Sequence, residues 1–248
     1  MADWNDTRQQ QRPGFGSVPR AGDAVARQAT YDTGLRAHML KIYNYMASGV
    51  LLTGIIALLT ASTGLVYTLM GGPLMWLVIL SPLAIVFAMS FGANKFSTGT
   101  LQLMFWGFAA LMGLSMSTIF VVYTGESIAA TFFATAGAFA GLSLFGYTTK
   151  KDLSGMGTFL VMGVIGLLIA MVINIFLQSS TLMMVVSFLG VLIFAGLTAY
   201  DTQRLKHQYA QLRGTDFAGK AVVLGALSLY LDFINMFQFL LSFMGNRN

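Results

Sequence analysis

Charged residues are almost absent from the middle of this chain. Between Lys41 and Asp201 only five charged residues occur, at positions 95, 126, 150, 151 and 152. A helix needs about 20 apolar residues to cross about 30 Å of hydrocarbon. We place runs of that length at 39–61, 73–91, 101–122, 127–147, 156–177, 181–201 and 221–243. The pattern predicts an all-α integral membrane protein with seven transmembrane helices.

The composition excludes soluble enzymes and nucleic-acid binders. Hydrophobic residues make up 56% of the chain and charged residues 9%, whereas a soluble domain has about 25% charged residues. The basic residues lie in short gaps between apolar runs instead of clustering on one folded face, so we expect no nucleic-acid partner. The chain has no cysteine, and neither HExxH nor a phosphate-binding loop occurs. We therefore expect neither an enzyme nor a tightly bound cofactor.

The first 36 residues form a separate region. They are rich in Gln, Arg, Asp, Gly and Pro, which predicts a disordered cytosolic tail before a transmembrane domain at 37–248. With the tail in the cytosol, Arg247 is the one basic residue on the far side, so 13 of the 14 lie inside, as the positive-inside rule requires. Seven full spans would place the C-terminus outside. A re-entrant last segment would return it to the cytosol and is the less favoured alternative.

Asp232 is the residue that most strongly indicates a function. It lies about twelve residues inside the last predicted span, and an acid at mid-bilayer costs about 2.5–3.5 kcal/mol on insertion scales. Ser228 and Asn235 lie on the same helical face, four residues before it and three after it. This placement favours ion or proton handling. A protonated aspartic acid that makes one interhelical hydrogen bond is the structural alternative.

Asp201 ends the sixth predicted span beside Arg204, where an acid is usually a solvated surface charge. If Asp201 and Asp232 were within hydrogen-bond reach, they would not both ionise readily and would titrate as a unit. Their oxygens would also suit transient contacts with Ca²⁺. Asp232 lies about 18 Å along its own helix at 1.5 Å per residue, so contact requires the sixth helix to continue past Asp201 or the seventh to begin outside the hydrocarbon.

Two acidic stretches resemble the signatures of a known family. Ala199-Tyr-Asp-Thr-Gln and Leu229-Tyr-Leu-Asp-Phe-Ile-Asn are similar to motifs of the Bax inhibitor-1 family, also called the transmembrane Bax inhibitor motif proteins, and Gly146-Tyr-Thr-Thr-Lys-Lys-Asp-Leu resembles bacterial members. The resemblance covers the chain from about residue 36 to the end. It implies an inner-membrane bundle whose last helix is central and wrapped by the others. It also implies a pH-sensitive calcium leak with Asp201 and Asp232 as sensor and gate.

Some members of this family latch an aspartate with an arginine near the cytosolic end of the second span. Here Lys95 is the nearest counterpart, and lysine lacks the bidentate fork of arginine, so Lys95 is either a counter-charge or a positive-inside flank. The supporting polar groups that we expect around the aspartates are Lys95, Arg204, Ser228 and Asn235.

Two other functions remain open at this point. The first is a non-conducting adaptor that binds and restrains a membrane-bound ATP-dependent protease, with the tail as its handle. The second is a proton-coupled exchanger. The sequence assigns no oligomeric state, and because the charged C-terminal tail of animal members is absent, a role in cell death is not expected.

Overall fold

The computed structural model describes the chain from residue 21 to Asn248, with side chains from residue 29 onward. The helices in this part are α1 (Ala21–Ser62), α2 (Leu65–Met70), α3 (Leu74–Gly92), α4 (Thr98–Met116), α5 (Ile119–Val122), α6 (Gly125–Thr148), α7 (Ser154–Leu177), α8 (Ser180–Leu212) and α9 (Ala218–Met244). Seven segments are long and apolar enough to cross a membrane: α3, α6, α7, α8, α9, the part of α1 from Ala29 to Ser62, and α4 with α5. The predicted all-α membrane fold is confirmed.

Helix α1 begins earlier than the sequence predicts. Residues 1–20 of the expected disordered tail lie outside the described residues, but the chain is helical from Ala21 to Ser62. The Ala, Arg and Gln residues that follow Pro19 are adequate or good helix formers, and extending an existing helix avoids the cost of a new nucleus. Residues 21–36 are therefore helical instead of irregular. The chain divides into two compact units between Ala37 and His38, and the second unit is the helical bundle.

Helix α9 is the central helix of this bundle. In its most apolar stretch 72% of the residues are buried, against 11–39% in the other six spans. It packs against α4, α6 and α8, and its Tyr230 hydroxyl hydrogen-bonds to Thr53 of α1 at 2.6 Å. The outer helices expose large apolar side chains such as Phe176, which is 83% exposed, as a surface in contact with lipid tails requires. The predicted central position of the last helix is confirmed.

Helix α9 also crosses the whole bundle. Near its start, the Lys220 ammonium donates to the Ala93 carbonyl at 3.2 Å, in the connection between α3 and α4. Just after its end, the Asn248 N–H donates to the Val122 carbonyl at 3.0 Å. The span formed by α4 and α5 separates these two points, so they lie at opposite ends of the bundle. The re-entrant alternative is therefore excluded, and the last helix makes a seventh full span.

The two ends of the bundle differ in charge. One end carries the connections 93–97, 149–153 and 213–217. We call it the basic face because its five basic residues outnumber Asp152 and Asp216; they are Lys95, Lys150, Lys151, Arg213 and Lys220. Among the residues that the structure describes, the opposite end holds Glu126, in the first turn of α6, and Arg247, after the end of α9. This asymmetry gives the two mouths of any path through the bundle different electrostatic potentials.

Candidate functional site

Helix α8 is longer than the sixth predicted span. The span was expected to end at 201, but α8 continues to Leu212. The predicted span ends where basic residues begin, because these mark the edge of the hydrocarbon. The helix itself continues past that edge, because the residues that follow are good helix formers. Asp201 consequently lies within the helix and is 5% exposed, so the alternative of a solvated surface charge does not describe it. The sixth helix thus continues past Asp201, which is one of the two conditions for Asp201 and Asp232 to lie at similar depth.

Asp201 and Asp232 line the same cavity. It has a volume of about 360 Å³ and lies between α7, α8 and α9. Its α7 wall is apolar, formed by Val161, Val164, Leu167, Leu168 and Met171. The polar lining comes from α8 and α9 and consists of Tyr200, Asp201, Arg204, Ser228, Asp232 and Asn235. The structure thus brings together both predicted acids and three of the four supporting residues.

Asp201 is held by two partners that also contact each other. The Ser228 hydroxyl donates to Asp201 Oδ2, and the Arg204 guanidinium nitrogen Nη2 lies 3.2 Å from the same oxygen. Arg204 Nη2 donates in turn to Ser228 Oγ at 3.0 Å. The Arg204 guanidinium also lies 5.7 Å from the centre of the Tyr200 ring. Asp201 therefore has a positive counter-charge and a hydroxyl donor, which together offset the cost of a buried carboxylate.

Asp232 has no comparable support. The residue is 5% exposed, and its Oδ2 atom has no hydrogen-bond partner among the described residues. The nearby Asn235 amide donates to the Leu231 carbonyl of its own helix at 2.8 Å. A buried polar atom without a partner is costly, so this oxygen is where a proton, a water molecule or a cation would be stabilised.

Lys95 does not reach this cavity. It is an exposed residue of the connection between α3 and α4, and its backbone N–H donates to the Gly92 carbonyl at 2.9 Å. The residue that lies against Asp201 is Arg204, which comes from the same helix instead of from the second span. The structure therefore gives no support to Lys95 as the counter-charge of Asp201.

Sequence reasoning missed two residues that position Asp201. The side-chain amide of Gln203 donates to the Lys151 carbonyl at 2.8 Å, and its oxygen accepts the Leu153 N–H at 2.9 Å. Thr202 hydrogen-bonds to Ser143 of α6 at 2.9 Å. Successive residues point about 100° apart around a helix, so this polar turn contacts α6, the connection before α7, and α9 in succession. The sequence feature that could have identified Thr202 and Gln203 is the run of four consecutive polar residues after Tyr200.

We expect Gln203→Ala to loosen the connection between α6 and α7. The substitution removes two hydrogen bonds and leaves the Leu153 N–H without its acceptor, a loss of about 1–3 kcal/mol of local stability. Trypsin should then cut at Lys150 and Lys151 roughly tenfold faster or more in detergent-solubilised protein. Gln211→Ala, an exposed glutamine on the same helix, is the matched control and should leave cleavage unchanged. Equal rates for the two variants would show that Gln203 does not hold this connection.

Comparison with known proteins places the chain among bacterial membrane proteins. Residues 35–248 match the family described as inhibitor of apoptosis-promoting Bax1. An uncharacterized protein of Caulobacter vibrioides is 49% identical over 228 residues, which cover 87% of this chain and 91% of the relative. The inner membrane protein YbhL of Escherichia coli is 44% identical over 233 residues, covering 92% of this chain and 98% of YbhL. Protein RP147 of Rickettsia prowazekii is 44% identical over 225 residues, which cover 90% of this chain and 95% of RP147.

Proposed function

This chain belongs to the Bax inhibitor-1 family, and we propose that it is a pH-sensitive, calcium-permeable leak of the bacterial inner membrane. One observation carries the proposal. Asp232 is a buried carboxyl on the central helix, its Oδ2 atom has no partner among the described residues, and it shares a cavity with a second carboxyl, Asp201. An ionisable group of this kind within a membrane span is expensive and is normally retained for ion or proton movement.

The two carboxyls differ in what stabilises their charge. Arg204 and Ser228 hold a negative charge on Asp201, whereas a charge on Asp232 requires a cation or water in the cavity. At low pH Asp232 is protonated, and α9 remains packed against α8. As the pH rises, ionisation of Asp232 beside Asp201 creates repulsion between α8 and α9 and an attractive site for a cation.

Calcium suits this site as a passing ion. Ca²⁺ takes about 6–8 oxygen ligands, and the cavity offers two carboxylates with a few hydroxyl and amide oxygens. Among the residues that the structure describes, no group of three or more His, Cys, Asp or Glu side chains comes together to hold a metal. We therefore propose transient calcium contacts at Asp201 and Asp232 instead of a resident ion.

The proposed orientation places the basic face in the cytosol. This face presents Lys95, Lys150, Lys151, Arg213 and Lys220, and short basic connections are retained on the cytosolic side. The relative YbhL is named as an inner membrane protein, which supports the same membrane for this chain. The N-terminus would then lie in the cytosol.

Calcium entry into proteoliposomes tests the proposal. We expect entry above that of empty liposomes, with a rate that rises as the pH is raised from about 5.5 to about 8, because ionisation of Asp232 beside Asp201 is the proposed opening step. No entry at any pH would contradict the leak and favour the adaptor, which should then lose its protease partner when residues 1–35 are deleted. Saturable calcium movement driven by a proton gradient would favour the exchanger instead.

A further inference from the structure

A second cavity lies on a different side of the central helix from Asp201 and Asp232. It has a volume of about 290 Å³ and is enclosed by α1, α4, α5, α6 and α9, and we call it the lateral cavity. Phe233, Ile234 and Phe237 of α9 line it, whereas the neighbouring Asp232 lines the cavity described above. The lateral cavity therefore reaches the central helix without involving the two acids.

The wall of the lateral cavity offers no free polar side chain among the described residues. Thr53 is the only described lining residue with a polar side chain, and its hydroxyl donates to the Ala109 carbonyl at 2.8 Å. The same oxygen then accepts the Tyr230 hydroxyl at 2.6 Å. The other lining residues are apolar or glycine. A buried water molecule needs about 2–4 polar partners, so this wall is a poor site for water.

The lateral cavity opens sideways between α1 and α6. Its lining residues from these two helices include Gly54, Ala129 and Phe133, which are exposed; Phe133 is 73% exposed. At the back of the cavity, Met116 of α4 and Phe237 of α9 are buried. A methyl group added at Gly54 would meet no atom within 4 Å. The mouth of the cavity therefore faces the lipid around the membrane spans, and its back wall includes the central helix.

The lateral cavity lies in the half of the bundle away from the basic face. Nearer the basic face, the Tyr43 hydroxyl and the Ser143 hydroxyl form a hydrogen bond of 2.6 Å that joins α1 to α6. The cavity lining on α6 starts at Gly125, in the first turn of the helix, and extends to Phe133, about 12 Å at 1.5 Å per residue. This length is close to half of a hydrocarbon layer about 30 Å thick. The cavity thus lies at the depth of one leaflet, the one opposite the basic face.

The position and composition of the lateral cavity indicate which molecule fills it. An empty cavity leaves the atoms of its wall without van der Waals partners, and an apolar cavity of about 150 Å³ is already large enough to take up benzene. Gly54, Ala129 and Phe133 all lie within membrane-spanning helices, so the molecules next to the mouth are lipids. Lipid tails are as apolar as the wall, so a tail that enters gains packing contacts without losing hydrogen bonds.

We propose that the lateral cavity is a binding site for one acyl chain of a phospholipid from the leaflet opposite the basic face. The carboxyl end of the chain would lie beside the first turn of α6, and the methyl end would lie beside Phe233, deeper in the bundle. The bound chain would fill the space between α1, α6 and the central helix and so stabilise α9 in its position. This proposal goes beyond the leak and does not depend on it.

Photolabelling by lipids in proteoliposomes tests the site. The vesicles consist of phosphatidylethanolamine and phosphatidylglycerol, with a small fraction of a phosphatidylethanolamine that carries a diazirine near the methyl end of one chain. After illumination, mass spectrometry of peptides measures the label at each residue. Phe233 reports on the lateral cavity, and Phe105, which is buried outside it, reports on the closed interior. Ile165, which is exposed on α7 outside both cavities, reports on contact with bulk lipid.

In the wild type, we expect Phe233 to carry roughly tenfold more label than Phe105, because a close-packed interior admits no lipid. Ala129→Phe places a ring at the mouth and should lower the labelling of Phe233 about tenfold, with the labelling of Ile165 unchanged. Ala134→Phe is the matched control, because it makes the same change on α6 at an exposed position outside the lining, and it should leave both unchanged. The comparison within the wild type remains decisive if Ala129→Phe does not fold.

A second probe, with the diazirine near the carboxyl end of the chain, tests the direction of the bound chain. Phe120 of α5 lines the lateral cavity close to the end of its helix at Val122, whereas Phe233 lies deeper in the bundle. We expect the methyl-end probe to label Phe233 more than Phe120 and the carboxyl-end probe to label Phe120 more than Phe233. The reverse order would contradict a chain from this leaflet and overturn the proposal.

Equal labelling of Phe233 and Phe105 in the wild type would overturn the proposal and would favour water or a side chain of a second copy as the occupant. Equal labelling of Phe233 in the wild type and in folded Ala129→Phe would overturn it as well. Photolabelling requires no calcium flux, so the acyl-chain site and the leak can fail separately. Label in the lateral cavity of a protein that conducts no calcium would support the acyl-chain site and contradict the leak.

Discussion

Gly146→Ala is expected to lower the free energy of unfolding by about 1–3 kcal/mol, the range for overpacking a close contact. Gly146 lies in the last turn of α6 and faces α8. A methyl group added there would meet the Ala199 carbonyl oxygen at 2.2 Å and the Ala199 Cα at 3.0 Å. Both are backbone atoms, so no side-chain rotation relieves the clash and the two helices must separate. The position of Asp201, two residues after Ala199, would shift with them.

Gly137→Ala is the matched control, because it makes the same chemical change on the same helix. A methyl group at Gly137 meets no atom within 4 Å, and alanine is a better helix former than glycine by about 1 kcal/mol. We therefore expect the two substitutions to change the thermal midpoint of detergent-solubilised protein in opposite directions. A Gly146→Ala protein as stable as Gly137→Ala would show that α6 and α8 do not approach as closely as the structure describes.

The positions of the membrane spans follow directly from the sequence. The predicted spans 73–91 and 156–177 lie within two residues of α3 and α7 at both ends, because the bilayer thickness sets the length of an apolar run. The two larger differences are the start of α1 and the end of α8. In both cases, polar residues that form helices well continue the helix beyond the hydrocarbon. The length of an apolar run therefore predicts how much of a helix lies in the membrane, but not where the helix ends.

The sequence predicted some residues of the candidate site and missed others, and the difference between the two groups has a physical reason. Asp232 was identifiable because a carboxyl in a membrane span is costly wherever it packs, and Ser228 was identifiable from helical spacing. Gln203 was missed because its partners, Lys151 and Leu153, lie about 50 residues earlier in the chain. The family resemblance is confirmed, whereas the roles assigned to Asp201 and Asp232 remain predictions.

The two acids of the cavity are not equivalent, and this difference decides which one is the better test of gating. Asp201 contacts Arg204 and Ser228, so its substitution changes the position of a positive charge as well as removing a negative one. Asp232 Oδ2 has no partner among the described residues. Substitution at Asp232 therefore removes an ionisable group with the least disturbance of other contacts.

Asp232→Asn is expected to abolish the rise of calcium entry with pH. Asparagine has nearly the same shape as aspartic acid but does not ionise, so entry at about pH 8 should fall roughly tenfold or more, toward the low rate of the wild type at pH 5.5. The measurement is calcium entry into proteoliposomes across this range. Asp201→Asn should have a different effect, because it frees Arg204, and the double variant should show non-additive rates if the two carboxyls act as a pair.

Glu126→Gln is the matched control for this experiment, since it makes the same acid-to-amide change at an exposed position outside the cavity. The remaining titratable groups of the cavity are Asp201, Arg204 and Tyr200, and the α7 wall contributes none. In the connection before α7, hydrogen bonds from Ser154 hold the pKa of Asp152 below its usual range, so Asp152 stays ionised throughout the measurement. If the Asp232→Asn protein kept the wild-type pH profile, the pH response would have to come from a group outside the cavity. His38 and His207 would then be the first residues to substitute.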